Sequence, residues 1–234
     1  MLPLAEVLVA RGLEVHGPLL PGFGLDIENL GKTRWQDWVR AAQQVWTQLQ
    51  PGAETTLLLG FSMGAAVALN LAARPDQLIL IAPFWRLADP KAKLLPVVRF
   101  VLPQLKPFQN ADFTQEVVRS QFRRLEPTLD LDDPGVQREL SEKVVLPTSS
   151  LIELQRLGRA AYRAAPKVTA STLVVQGKDD TTVSPDDTRR LALRLGGPVS
   201  LHELGGAHEL IAPNAAGFEG VLSQVQRFLD GLVS

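Results

Sequence analysis

Thr55-Thr56-Leu57-Leu58-Leu59-Gly60-Phe61-Ser62-Met63-Gly64 runs without a break into the Ala/Leu-rich stretch Ala65 to Ala73. Thr55 to Leu59 lacks the polar alternation of a half-exposed strand and reads as a short strand covered on both faces in a parallel sheet. Ala65 to Ala73 reads as a helix. A G-x-S-x-G element at such a junction puts Ser62 on a sharp, strained turn that lifts its hydroxyl above the sheet edge. Gly60 and Gly64 are expected to leave room for strand and helix to approach. The helix N-terminus, including the Met63 N–H, would direct positive charge at an oxyanion forming beside the serine.

Outward from this junction the pattern alternates. On the N-terminal side, Leu4 to Leu8 reads as a helix closed by Arg11-Gly12, and Leu13 to Leu20 as a strand ended by the turn Pro21-Gly22-Phe23-Gly24. Thr33 and Gln36 have capping-box spacing, and Trp35, Trp38, Val39, Ala42, Val45, Trp46 and Leu49 then share a helical face up to the break at Pro51-Gly52. On the C-terminal side, strands are expected at Gln77 to Ile81, Thr172 to Val175 and Val199 to Leu204. Helices are expected from Ser150 to Ala164, from the Ser184-Pro185-Asp186-Asp187 start through Leu195, and from Ala215 to Leu232. Strands alternating with helices imply right-handed βαβ units, hence an α/β fold with a mostly parallel sheet and helices on both faces.

The alternation lapses between Pro83 and Pro147, which hold eight of the seventeen prolines. Short helices separated by proline turns, such as Thr114 to Leu125 and Val136 to Val145, suit a cap over one end of the sheet. The expected organisation is a core of residues 1–82 and 166–234 with residues 83–165 inserted as a helical cap. Within the cap, Leu94, Leu95, Val97, Val98, Phe100, Val101 and Leu102 are either its own core or the lining of an apolar pocket.

Composition narrows the chemistry. The chain has 234 residues, 45% hydrophobic and 21% charged, enough to bury a core without disulfides or a structural metal. No cysteine is present, which excludes thiolate zinc sites, iron–sulfur clusters and cysteine nucleophiles. A net charge of -1 gives no global field to attract nucleic acid. The most apolar run, Leu94 to Leu105, is too short and too interrupted for a membrane span, so no stable membrane insertion is expected. From Met1 no basic leader is visible, and the expected location is cytoplasmic. No histidine pair or His/carboxylate cluster has metal-ligand spacing, and no cofactor is expected.

A serine hydroxyl becomes a useful nucleophile when a histidine takes its proton and an acid orients that histidine. Of three histidines, His208 lies in the loop Gly205-Gly206-Ala207-His208 just beyond the last strand, whereas His202 lies inside that strand. The acid should come from the loop after Thr172 to Val175, where Asp179 and Asp180 compete.

At these residues the chain resembles the α/β-hydrolase superfamily, and within it the small bacterial carboxylesterases and monoacylglycerol lipases. The likeness extends over nearly the whole chain. The family's Gly-x-x-Asp-x-x-Val pattern falls on Gly177, Asp180 and Val183 and selects Asp180, leaving Asp179 as a solvated neighbour. His16-Gly17-Pro18-Leu19-Leu20-Pro21-Gly22-Phe23-Gly24 is similar to the family's strand end and glycine loop, and Trp35-Gln36-Asp37-Trp38 to the start of its next helix. The resemblance implies an acyl-enzyme mechanism with Ser62, Asp180 and His208 as triad and Met63 as an oxyanion donor. The implied substrate is a small-molecule ester, either a short- or medium-chain acyl ester or a monoacylglycerol. Thioesterase, amidase or peptidase and carbon–carbon hydrolase chemistry share the triad. A weakly active or silent hydrolase fragment, or a binding module, is the alternative from another class.

The departure from the family is at the front. Such an esterase carries two or three strands and a His-Gly-aromatic loop ahead of the helix that here begins near Met1. His16-Gly17 imitates the loop, but the next residue, Pro18, has no N–H to donate, so His16 is expected to be structural. In the family's sheet order a strand lies between those corresponding to Leu13–Leu20 and Thr55–Leu59. Without it the two would stand roughly 9–10 Å apart with unpaired inner edges. The expectation is therefore an N-terminally truncated α/β-hydrolase fold in which Met1 is an internal methionine of a longer protein. Loss of one of two oxyanion donors would cost about 100- to 1,000-fold in turnover.

Overall fold

Two apolar parities on the same strands build the core. A computed structural model describes residues 2–71, 73–87, 102–106, 109, 111–115, 118–119, 130–143 and 145–231. The first half comprises helix α1 (Leu2–Ala10), helix α2 (Trp35–Leu49), strand β1 (Leu57–Phe61), helix α3 (Met63–Asn70) and strand β2 (Gln77–Ile81). After β2 come the short strands β3 (Gln104–Leu105) and β4 (Leu146–Pro147), helix α4 (Pro134–Lys143) and helix α5 (Thr148–Ala164). Strand β5 (Ser171–Gly177), helix α6 (Pro185–Ala192), strand β6 (Val199–Leu204) and helix α7 (Phe218–Asp230) complete it.

Strands β1, β2, β5 and β6 form a parallel sheet in that spatial order, with Leu57 opposite Gln77, Gln77 opposite Ser171 and Thr172 opposite Val199. Side chains alternate across a strand. Leu78, Leu80 and Val174 therefore face one layer, where they pack with Trp38 of α2, Ala65 to Leu69 of α3, Leu157 and Ala161 of α5 and Leu191 of α6. Ile79, Ile81, Leu173 and Val175 face the other, with Leu4 and Leu8 of α1 and Val221, Val225 and Leu229 of α7. Covered on both sides, β2 is buried along its whole length, which is why Leu78 to Ile81 reads as an unbroken apolar run. No described helix is long and apolar enough to cross a membrane.

The residues after β2 are strapped onto helices α5 and α6. After β2, the Trp85 ring stacks on Tyr162 of α5 at 4.2 Å, and its indole N–H donates to the Asp187 carbonyl of α6 at 2.8 Å. Arg86 makes a two-pronged bond to the buried Asp187 carboxylate at 2.8 and 2.6 Å. Gly158 lets this strap lie on α5: a β-carbon there would come within 2.4 Å of the Trp85 carbonyl oxygen. β3 and β4 pair antiparallel. The pocket stripe from Leu94 to Val101 lies outside the described residues, as does most of the expected helix Thr114 to Leu125; Leu102 is exposed.

Two sequence expectations change. Leu13 to Leu20 forms no strand: Leu13 and Leu20 pack on the two core layers, while Glu14 to Leu19 are exposed without ladder bonds. A strand needs a neighbour to receive its backbone groups, and among the described residues β1 pairs only with β2, so β1 is an edge. The start of α2 also moves. Asp37 accepts the Arg34 N–H at 2.9 Å, while the Thr33 hydroxyl donates instead to the Asn29 carbonyl at 2.9 Å. Glu153 of α5 accepts the Trp35 N–H at 3.1 Å, tying this helix start to its neighbour.

Of the two glycines at the central junction, one controls the packing. A β-carbon on Gly60 would stand 2.5 Å from Ala65 Cα and 2.6 Å from the Gly64 carbonyl oxygen, whereas one on Gly64 would meet nothing within 4 Å. Gly60→Ala should accordingly destabilise the fold by about 1–3 kcal/mol or more, through overpacking against backbone. Gly64→Ala should leave stability within about 0.5 kcal/mol. Urea unfolding of both variants, followed by circular dichroism, checks the asymmetry.

Candidate active site

Ser62 follows the last residue of β1 and immediately precedes α3, with φ 51° and ψ −117°. This left-handed conformation is costly for a residue with a side chain and persists where neighbours over-determine it. They do so here. The Ser62 N–H donates to the Ile81 carbonyl at 2.9 Å, and its carbonyl accepts from Ala65 N at 3.1 Å and Phe84 N at 3.3 Å. Ala82, beside this anchor, also has positive φ, 43°, and its N–H is held by the Val175 carbonyl at 2.8 Å. Met63 opens α3, so its N–H belongs to the first turn, where donors have no acceptor within the helix.

Asp180 lies in the loop after β5 and His208 in the loop after β6. The structure brings both to Ser62 at the carboxyl ends of the parallel strands, where open α/β sheets place their ligands. His208 Nδ1 is 2.8 Å from Asp180 Oδ2, and its Nε2 is 2.9 Å from Ser62 Oγ. A carboxylate only accepts, so Nδ1 carries the proton and Nε2 is left to accept from the serine hydroxyl. The Phe61 ring lies against the imidazole at 5.1 Å.

The spacing of Gly177, Asp180 and Val183 has a physical basis. Asp180 Oδ1 accepts the Thr182 and Val183 N–H groups, both at 2.8 Å, while Oδ2 accepts from His208 and from the Gln176 amide at 3.0 Å. The side chain is fully buried. Burial, the largest single influence, would raise its pKa, but the bonds from His208, Val183 and Gln176 and the attraction of His208 together bring it below the ordinary aspartate value. Gly177 gives the His208 loop room to cross β5: a β-carbon there would be 2.5 Å from both the Gly206 and Ala207 carbonyl oxygens. Asp179 does more than face solvent. Its N–H donates to the Gly206 carbonyl at 3.0 Å and its carboxylate accepts the Gly206 N–H at 3.2 Å, so adjacent aspartates hold the loop and the ring separately.

The other histidines stand apart from this arrangement. His202 Nε2 is 2.9 Å from Ser200 Oγ on β6, and His16 pairs with Glu14 at 2.6 Å on the exposed segment before α2. No group of three or more His, Asp or Glu side chains among the described residues could hold a metal ion. An open groove of about 660 Å³ runs beside α2 between Trp35, Val39, Gln43 and Asn70, and none of Ser62, Asp180 and His208 lines it. Sequence reasoning misses Gln176, finds Gly177 only as a pattern position, and leaves Asp179 as a solvated neighbour. A glutamine ending an apolar strand, followed by Gly-x-Asp-Asp, is the one signal that could have pointed to them.

Comparison with known proteins agrees with this framework. The thermostable monoacylglycerol lipase of Bacillus sp. (strain H-257) is 26% identical over 187 residues, which covers 79% of this chain and 66% of that protein. The chain thus spans just under two thirds of that relative. Among solved structures, one from the pair LipS and LipT, two metagenome-derived lipolytic enzymes, superposes with TM-score 0.75 at 20% identity, covering 97% of this chain and 86% of the other. The monoacylglycerol lipase of Paleococcus ferrophilus gives TM-score 0.61 at 18% identity over 84% and 75% of the two chains. A soluble variant of the Saccharomyces cerevisiae monoglyceride lipase gives 0.64 at 15% identity over 91% and 75%. The family model described as serine aminopeptidase, S33, matches residues 1–212, and the chain belongs to that family of α/β-hydrolases.

Proposed function

We propose that this chain is a lipase- or esterase-type serine hydrolase that cleaves monoacylglycerols or other short- and medium-chain carboxylic esters through an acyl-enzyme. The observation that carries the reading is the pair of hydrogen bonds that joins Ser62 to His208 and His208 to Asp180. The names borne by the Bacillus, Paleococcus and Saccharomyces relatives support the ester class.

In this reading Ser62 Oγ attacks the ester carbonyl carbon while His208 Nε2 takes its proton, and the carbonyl oxygen becomes an oxyanion facing the Met63 N–H. Asp180 holds the ring in the Nδ1–H tautomer and stabilises the imidazolium. When the tetrahedral adduct collapses, the alkoxide leaves with the proton from His208. Water then repeats the sequence on the acyl-enzyme, releasing the carboxylic acid and returning the proton to Ser62. Pro18 has no N–H to give, so His16-Gly17-Pro18 supplies no second donor from that position. In this reading residues 83–165 form the cap over the acyl-binding side, with Trp85 and Arg86 at its start bonded to Asp187 of α6.

Ser62→Ala should lower hydrolysis of a chromogenic octanoate or butyrate ester by about 10⁴–10⁶-fold and abolish labelling by a fluorophosphonate, with the fold intact by circular dichroism. Unchanged turnover in the variant removes the proposal. Faster Ser62-dependent cleavage of aminoacyl anilides than of esters would instead assign the site to peptide chemistry, as the family's description allows.

Asp180→Asn should reduce turnover by about 10⁴-fold, because an amide no longer selects the productive tautomer. It should also change how stability depends on pH. A carboxyl whose folded pKa is lowered stabilises the fold above its unfolded value of about 3.9, and that contribution disappears as pH falls through the lowered one. The stability gap between the native chain and Asp180→Asn should therefore narrow as pH drops below about 4, as measured by urea unfolding across pH.

A further inference from the structure

Gln176 is a polar side chain with no exposure, directly after the buried apolar run Leu173 to Val175 of β5. Its amide nitrogen, with two hydrogens, lies 3.0 Å from Asp180 Oδ2, 3.1 Å from the Gly177 carbonyl and 3.1 Å from the Val183 carbonyl. Its amide oxygen accepts the hydroxyl of Thr188, also fully buried, at 2.6 Å. This fixes which end of the amide faces Asp180. Turning it over would aim an oxygen at one carboxylate and two carbonyl oxygens and leave the Thr188 hydroxyl facing an NH₂ group. A buried amide so constrained costs free energy unless its bonds are made, and here one of them reaches the carboxylate oxygen that also faces His208 Nδ1.

We propose that Gln176, locked by Thr188 of α6, is a positioning residue that holds the Asp180 carboxylate ionised and aimed at His208. The proposal rests on the reading of Ser62, His208 and Asp180 as a triad, and it adds a polar chain running from α6 through β5 to the base. The charged groups on the surrounding elements do not substitute for it. Asp187 of α6 is paired with Arg86 and lies 3.5 Å from Arg190, Asp186 and Arg189 pair with each other, and Asp179 is bound to the Gly206 N–H. Within its own loops, Asp180 faces the Nδ1–H of His208, 2.8 Å from Oδ2.

The test compares the native chain with Gln176→Met, close in shape but without donor or acceptor, and with Thr188→Val, which removes only the lock. Two quantities are read on samples whose folding is verified by circular dichroism at each pH. One is the split between kcat and KM for the octanoate ester. The other is the low-field proton resonance of His208 Nδ1, identified by its absence in Asp180→Asn, followed as pH is lowered. Gln176→Met should lower kcat roughly ten-fold or more with KM unchanged, the scale of a lost hydrogen bond to a charged group. It should also lose the resonance at higher pH than the native chain, because Asp180 without its amide donor protonates more readily. Thr188→Val should shift both in the same direction by less, and Thr188→Ser, which keeps the hydroxyl, should restore them. If Gln176→Met and Thr188→Val stay folded with kcat and the resonance midpoint unchanged, Gln176 is ordinary core and the proposal is overturned. Should Ser62→Ala keep full turnover, the triad reading fails while the resonance still decides whether Gln176 governs Asp180.

Discussion

The close approach of β1 to α3 is the constraint from which the site's geometry follows. Strand and helix are joined by one residue, Ser62, and the helix begins so near the strand that no β-carbon fits at Gly60. With that spacing set, the serine backbone is driven into the left-handed region, and its amide and carbonyl are taken up by Ile81, Ala65 and Phe84. The end of β2 thus sets the direction of the side chain that follows β1. Because β2 is covered on both faces, the support behind the hydroxyl is among the most deeply packed parts of the chain.

The histidine side of the site uses another device, the crossing of two loops. Gly177 lets the segment before His208 pass over the end of β5, and the bonds from Lys178 and Asp179 to Leu204 and Gly206 fasten the two turns together. Acid and base therefore sit on one cross-linked unit rather than on separately mobile loops. This explains why two neighbouring aspartates are both used: one organises backbone and the other accepts the imidazole proton.

Much of the framework is legible in the sequence for physical reasons. Gln77 to Ile81 and Val199 to Leu204 read correctly because a mostly apolar run and a Val-Ser-Leu-His alternation, each of strand length and bounded by turn residues, have few other uses. Ser62 is conspicuous because its motif sits between a strand and a helix. Leu13 to Leu20 misleads because β-forming composition says nothing about whether a ladder partner exists, and here β1 has none on that side among the described residues. The choice between Asp179 and Asp180 depends on whether a carboxylate can reach the N–H groups of Thr182 and Val183, a matter of loop shape that residue identity leaves open. Gln176 is hidden for the opposite reason, since a lone amide after Leu173-Val174-Val175 looks like a strand running out into solvent when it is in fact buried.

The three groups of the site are unequally exposed to mechanical failure. Asp180 hangs from the inner strand β5, whereas Ser62 and His208 hang from β1 and β6, the two outermost strands of the described sheet, and the His208 loop is fastened to the Asp180 loop by the Lys178 and Asp179 backbone bonds. Sheets come apart from their margins inward. Under heat or denaturant, the earliest casualty would be the alignment of the hydroxyl with the ring, while the bond between ring and carboxylate outlasts it.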